Sequence, residues 1–273
     1  MIKIPFQCAT RDAEFLQNHH PLRKVFSPSY LVMALVSLPG CFLIFSAVTH
    51  FAWWFLTKQA GIEIKSFDSR NRLEFIMAFV LFFLPLLYLF CSLMAKKILT
   101  INFSKLALYM GCTFLGAMWY EIILDTLFVK CLGQPGWLYN VWPVHRGYTS
   151  GVGMLMWPLY GFFVYCMSEA INVNPKLALI NNGIAKTYLF ALDAMALEIL
   201  TNIFSILFFN TYLFYYLPDD LLHFTTIQIF IPYLFASGLG AALSLFLERF
   251  KKNHFLIGIA SYLAGVISLF FLA

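Results

Sequence analysis

The sequence predicts an all-α, polytopic membrane protein of about seven transmembrane helices, and three observations lead there. Apolar residues make up 61% of the chain and charged residues 11%, which leaves too little polar surface to cover a soluble domain. Apolar stretches of about 20 residues or more, long enough to cross a hydrocarbon core at about 1.5 Å per residue, recur along almost its whole length. The segments between them are too short to house a separate folded domain.

Segment 1–28 is polar and carries four Lys or Arg, so it reads as a cytoplasmic N-terminal tail and not as a cleaved signal peptide; the first span is expected to be retained. A single transmembrane domain then fills 29–273, with spans near 30–56, 73–95, 106–130, 148–170, 186–212, 225–248 and 254–273. Lys and Arg near span ends are held on the cytoplasmic side. Twelve of the eighteen fall on the side of the N-terminal tail, including Lys96, Lys97, Lys105, Lys176, Lys186, Arg249, Lys251 and Lys252. Six fall opposite, four of them (Lys58, Lys65, Arg70, Arg72) in the first loop. The N-terminus is therefore expected in the cytoplasm and the C-terminus across the membrane, in a bacterial inner membrane or its equivalent. A net charge of +5 reflects this bias and requires no nucleic-acid partner; the lipid bilayer is the expected partner. Six cysteines at 8, 41, 91, 112, 131 and 166 lack C-x-x-C spacing, so they read as small apolar packing residues and not as disulfides or a zinc site.

Internal repetition comes next, because many membrane proteins that handle small molecules are built from repeated helix groups. Laying Glu121 on Glu198 aligns the two segments at an offset of 77, which places Asp125 on Asn202, Trp137 on Phe214 and Tyr139 on Tyr216. Further on, His145 falls against His223, Thr149 against Thr226 and Pro158 against Pro232, with Pro85 another 73 residues upstream. The pattern implies three parallel helical hairpins, near 30–100, 106–175 and 183–250, each with a proline in its second helix, related by an axis along the membrane normal. A lone last helix, 254–273, follows.

Acids inside such spans cost about 2.5–3.5 kcal/mol on insertion scales, so they need partners, water or a function. Glu121 and Asp125 are four residues apart, as are Glu198 and Asn202, so each pair shares one helix face and the two faces are able to meet across a cavity. Glu121, Glu198, Asp125 and Asn202 are the candidate catalytic residues, with proton donation by one carboxyl and acceptance by another. Asp193 is a further candidate within the fifth span. The same residues also admit a plain packing role, hydrogen-bonded to neighbouring helices. Trp137, Tyr139, Trp142, Tyr215 and Tyr216, in the two loops above these acids, are candidates to line an apolar small-molecule site, against the alternative of an interfacial aromatic belt. His50, His145 and His223 share a side but not a ligand spacing, and His19 and His20 lie in the tail, so neither a metal nor a cofactor is expected. No retinal lysine in the last span, phosphate-binding loop, H-E-x-x-H or CxxCH is present.

The run from Glu121 through Asp125, Gly133, Pro135, Gly136 and Trp137 to Tyr139 resembles the membrane-embedded carotenoid hydratases and lycopene cyclases, whose spans carry an acid followed by a Gly/Pro-rich aromatic turn. One departure is that Pro158 is followed by Leu159, Tyr160 and Gly161, where lycopene-cyclase domains carry paired acids. The resemblance implies an integral membrane enzyme that cyclises, isomerises or hydrates an isoprenoid lipid by protonating an alkene. A proton-coupled carrier, or a structural subunit of a larger membrane complex, would use the same residues differently.

Overall fold

A computed structural model of the chain describes residues 28–64, 72–177 and 183–271. The tail 1–27 with Cys8, His19 and His20, and the loop residues Lys65 and Arg70, lie outside the described residues. Seven α-helices account for most of the rest: α1 (Pro28–Trp54), α2 (Arg72–Ala95), α3 (Phe103–Leu132), α4 (Gly153–Val173), α5 (Gly183–Phe209), α6 (Phe230–Leu247) and α7 (His254–Phe271). Six of them, with their flanking turns, are long and apolar enough to cross a membrane; in α6 the apolar run, Ile227–Leu243, is shorter. The fold is all-α and multi-pass in character.

The helix ends have local causes. Asn102 caps α3, its side chain accepting from the Lys105 amide at 3.1 Å, and Gly133 ends the helix in the left-handed conformation at φ 77°. Pro39, Pro85 and Pro158 sit inside α1, α2 and α4, as helices surrounded by lipid and by other helices tolerate. Pro232 lies in the first turn of α6, where its missing N–H has no helical partner to lose.

Helix α3 is the centre of one half of the molecule, packed along α7 and α4, with α2 on the far side of α4; α5 packs along α6 and α1 in the other half. Glycines set the closest approaches. A Cβ on Gly111 of α3 would lie 1.9 Å from the Gly258 carbonyl oxygen of α7, and one on Gly161 of α4 would lie 2.7 Å from the Tyr109 carbonyl oxygen of α3. In lipid, where apolar burial drives little helix association, such backbone-to-backbone contact supplies the dispersion that holds helices together.

One end of the bundle gathers Lys105, Arg249, Lys251 and Lys252. Lys105 at the start of α3 meets Glu169 near the end of α4 at 2.7 Å, and the Asn174 side chain donates to the Met94 carbonyl of α2 at 2.7 Å. Gly258 touching Ala107 brings the start of α7, behind Arg249, Lys251 and Lys252, to the same end. The Ser37 and Tyr188 hydroxyls, 2.8 Å apart, bring the first halves of α1 and α5 together there too.

At the opposite end the chain adds four short strands that the helical reading did not contain. β1 (Trp137–Tyr139) pairs antiparallel with β4 (Phe214–Tyr216), and β2 (Pro143–Val144) with β3 (Thr149–Ser150). The ladder between β1 and β4 matches Trp137 with Tyr216, Leu138 with Tyr215 and Tyr139 with Phe214. These loops are buried, so their backbone groups must find partners inside the protein. As a result α4 begins at Gly153, five residues later than the expected span, and α5 ends at Phe209, three residues earlier.

Candidate functional site

Two polar side chains within the helices pin these loops. Asp125, fully buried on α3, accepts from the Gly136 amide at 2.7 Å through Oδ1. Gly136 is needed there, because a Cβ would lie 2.4 Å from the Phe128 ring. Asn202, fully buried on α5, accepts from the Leu213 amide at 3.0 Å and donates to the Phe214 and Phe224 carbonyls, each at 3.0 Å. Leu213 stands 77 residues after Gly136, so the same bond recurs at the same offset as the residues that make it.

Thus positioned, the loops return tyrosines to the glutamates one helical turn earlier. Tyr139 donates to Glu121 Oε1. Tyr216 donates to Glu198 Oε1 at 2.5 Å, Tyr233 of α6 donates to the same oxygen, and Thr225 donates to Oε2 at 2.6 Å. Burial pushes the Tyr139 and Tyr216 phenols well above 10, and the neighbouring glutamate of each adds to the effect, so both remain neutral donors. Every Glu198 oxygen is therefore engaged. Glu121 has a counterpart for each donor: Tyr139 bonds closely, while Thr149 and Trp157 stand beside the carboxylate as its more distant polar partners. Glu121 Oε2, Thr149 Oγ1 and Trp157 Nε1 are all buried and make no close hydrogen bond, so the Glu121 carboxyl is held more loosely than that of Glu198.

Both glutamates line a small chamber of about 20 Å³ with Tyr120, Trp137, Tyr139, Trp157, Phe214, Tyr216 and Tyr233. Glu198, Tyr139, Trp157, Phe214 and Tyr233 also border a larger cavity of about 70 Å³, whose remaining wall is mostly apolar: Phe79, Phe83 and Leu87 of α2, Met156 and Leu159 of α4, Ala194 and Leu197 of α5. By the space one water occupies, about 10–15 Å³ on this measure, the chamber takes one water-sized group and the cavity about five.

Of the ten residues singled out from the sequence, Glu121, Glu198, Trp137, Tyr139 and Tyr216 line these spaces. Trp137, Tyr139 and Tyr216 are 4%, 7% and 2% exposed, too buried for an interfacial belt. The other five line neither space. Asp125 and Asn202 hold backbone, Asp193 accepts from the Tyr160 hydroxyl at 2.9 Å, Trp142 packs on Phe270, and Tyr215 stacks on His223 with ring centres 4.1 Å apart. Tyr120, Thr149, Trp157, Thr225 and Tyr233 were missed. The threonine that meets Glu198 is Thr225; Thr226, aligned with Thr149 from the sequence, instead donates to Asp220 at 3.0 Å and caps the turn before α6. Matching the prolines also hid the correspondence of Trp157 with Tyr233, the third neighbours of the two carboxylates.

His50 bonds the Ser46 carbonyl of its own helix at 2.8 Å and His223 the Tyr216 carbonyl at 2.7 Å. No group of three or more metal-ligating side chains occurs among the described residues.

The molecule is thus an all-α protein with six helices long and apolar enough to cross a membrane, built around two buried glutamates that share a chamber. No protein-family model matches the chain, and no curated protein or solved structure matches it either.

Proposed function

We propose that this is an integral membrane enzyme that cyclises, isomerises or hydrates a lipid-soluble isoprenoid by proton transfer, with Glu121 and Glu198 as the acid and base. The observation that carries the reading is the shared chamber: two carboxyl groups from different helices line one space, which shares the walls of Tyr139, Trp157, Glu198, Phe214 and Tyr233 with an aromatic and aliphatic cavity. A carboxylic acid in such a space gives its proton to one carbon of an alkene, forming a C–H bond and leaving a carbocation on the neighbouring carbon. Aromatic faces such as Trp157 and Phe214 favour that cation. A carboxylate then removes a different proton, which yields an isomerised or cyclised alkene, or accepts a proton from a water that adds to the cation. Each route returns one proton to the carboxyl pair without a redox partner, and its transfer from Glu198 back to Glu121 across the shared chamber restores the starting state. Glu198, surrounded by three hydroxyl donors, fits the acceptor role, and Glu121, held more loosely, the donor role.

The matching bonds 77 residues apart support an internal duplication. Under that offset Leu138 and Tyr215 are equivalent, and they pair with each other at the centre of the β1–β4 ladder while the flanking pairs interchange, as a two-fold relation demands. Seven spans, with the basic end and the N-terminus in the cytoplasm of a bacterial inner membrane or its equivalent, complete the reading. An α6 of 18 residues, about 27 Å at 1.5 Å per residue, suffices for a thin or locally adapted bilayer.

The test compares extracted lipids, by mass spectrometry, from cells without the gene, with it, and with Glu121→Gln. One polyprenoid or sterol-like species should change with the gene, and the variant should form its product roughly 10²–10⁴-fold more slowly. Identical profiles at matched expression overturn the proposal.

A further inference from the structure

A layer of aromatic rings separates the larger cavity from the lipid-facing surface at α2. Phe79, Phe83 and Leu87, spaced four apart, turn one stripe of α2 to the cavity, while Phe82 beside them is half exposed. Phe204 of α5 joins both faces. It meets Phe79 and Phe83 edge-on, with ring centres 6.0 and 5.3 Å apart, and stacks on Phe82 at 5.4 Å. Helix α2 packs along α4 and reaches α5 through these rings. At the strand end the cavity is roofed by Tyr139 and Phe214 of the buried ladder.

Under the duplication supported above, α2 is the helix left without a counterpart. At the offset of 77, Gly111, where α3 meets Gly258 of α7, corresponds to Tyr188, where α5 meets Ser37 of α1. Helix α7 on α3 therefore answers to α1 on α5, and α4 answers to α6, as Trp157 does to Tyr233. On α4, Leu159 and Phe163 face away from Gly161, and hence from α3, and are buried on the side of α2. Their counterparts on α6, Phe235 and Leu239, are 68% and 69% exposed. The molecule thus already carries this helix face bare. Lipid tails are as apolar as leucine, so drawing part of α2 away from α4 leaves Leu159 and Phe163 in a setting that Phe235 and Leu239 already occupy.

The two halves of α2 are held differently. Pro85 stands between Phe83 and Leu87 and removes the hydrogen bond to the Leu81 carbonyl one turn back, which is where helices bend. Beyond Pro85 the helix is tied at the Lys105 end. The Asn174 side chain donates to the Met94 carbonyl at 2.7 Å, and the Tyr88 hydroxyl donates to the Leu99 carbonyl, just past α2, at 2.8 Å.

We infer that the stretch of α2 from Phe79 to Leu84 is a lateral gate pivoting at Pro85, and that the cavity takes its ligand from the bilayer, between α2 and α5, as Phe79, Phe82 and Phe83 part from Phe204. This rests on the reading above that the cavity holds a ligand, but its test reads entry and not turnover, so the two fail separately.

The full chain in lipid nanodiscs carries Phe82→Cys and Phe204→Cys, with Cys8, Cys41, Cys112 and Cys131 replaced by alanine. The bilayer is loaded with 3-(trifluoromethyl)-3-phenyldiazirine, an apolar photolabel, and after brief illumination the label is mapped by peptide mass spectrometry. Leu159, a buried cavity residue, should be labelled while the thiols are free. Joining the thiols with dibromobimane should lower that labelling about tenfold, as for a gate open a tenth as often, and leave Leu256 on the lipid face of α7 unchanged. In the otherwise unaltered chain, Pro85→Ala, which restores a helical hydrogen bond, should also lower it. Equal labelling of Leu159 before and after bridging overturns the gate, and so does a Leu159 that the free form never labels. Unchanged labelling in Pro85→Ala overturns the pivot.

Discussion

Replacing Asn202 by leucine, a side chain of similar size without polar atoms, should destabilise the protein through the loop it holds and not through the helix that carries it. Three backbone groups lose their partner: the Leu213 amide and the Phe214 and Phe224 carbonyls, each now bonded at 3.0 Å. Asn202 is fully buried, as are Leu213 and Phe224, so water does not replace the lost bonds. At about 1 kcal/mol for each buried group left unpaired, the low end of the usual range, the loss is about 3 kcal/mol. For a chain of this size that corresponds to a melting temperature lower by roughly 6–12 °C. Asn202→Asp provides the internal control. It preserves the acceptor for Leu213, as Asp125 does for Gly136, but turns a carboxyl oxygen toward the Phe214 and Phe224 carbonyls in a fully buried site, so its melting temperature should fall at least as far as that of the leucine variant. The assay is thermal unfolding in a mild detergent followed by circular dichroism. A leucine or an aspartate variant as stable as the unaltered protein would refute the assignment of Asn202 as the clasp of the loop.

Two further outcomes follow from other parts of the structure. Gly258→Leu puts a branched side chain where even a Cβ would lie 2.3 Å from the Ala107 carbonyl, so α7 should detach from α3; protease accessibility of the 3₁₀ segment Glu248–Asn253 should rise at least severalfold, and an unchanged digestion pattern would contradict the packing. For Tyr139 and Tyr216 the folded phenols ionise well above 10, so the unfolded chain releases those protons first and stability, complete below that pH, declines as pH rises past about 10. Unfolding monitored against pH, with tyrosinate absorbance in parallel, should show the decline begin there, and the double variant Tyr139→Phe/Tyr216→Phe should make it shallower.

Glu121 and Glu198 were legible in the sequence because an acid in an apolar run is conspicuous, and their spacing from Asp125 and Asn202 fixed the helix face. What that spacing does not carry is the destination of a side-chain tip. Asp125 and Asn202 share the face with the glutamates, yet their tips meet backbone in the loops, since a loop folded back into the protein offers amides and carbonyls that must be paired. The hydroxyls around the carboxylates were hidden for a different reason. With 14 tyrosines in the chain, no single one stands out, and Tyr233 and Thr225 acquire their roles only when α6 is placed against α5. Strands of three residues such as β1 and β4 are too short to leave an alternating pattern.

The two glutamates ride on helices that scarcely touch each other. Helix α3 is clamped between α4 and α7 at glycine contacts, while α5 belongs with α1 and α6, and the halves are joined by the ladder of three residue pairs from Trp137 to Tyr139, by the Tyr160–Asp193 bond and by the rings of Phe79 and Phe83 against Phe204. The separation of the two carboxyl groups is consequently set at a distance, by the ladder and by the neighbours of α3 and α5, as the span of a calliper is set by its hinge and not by its points.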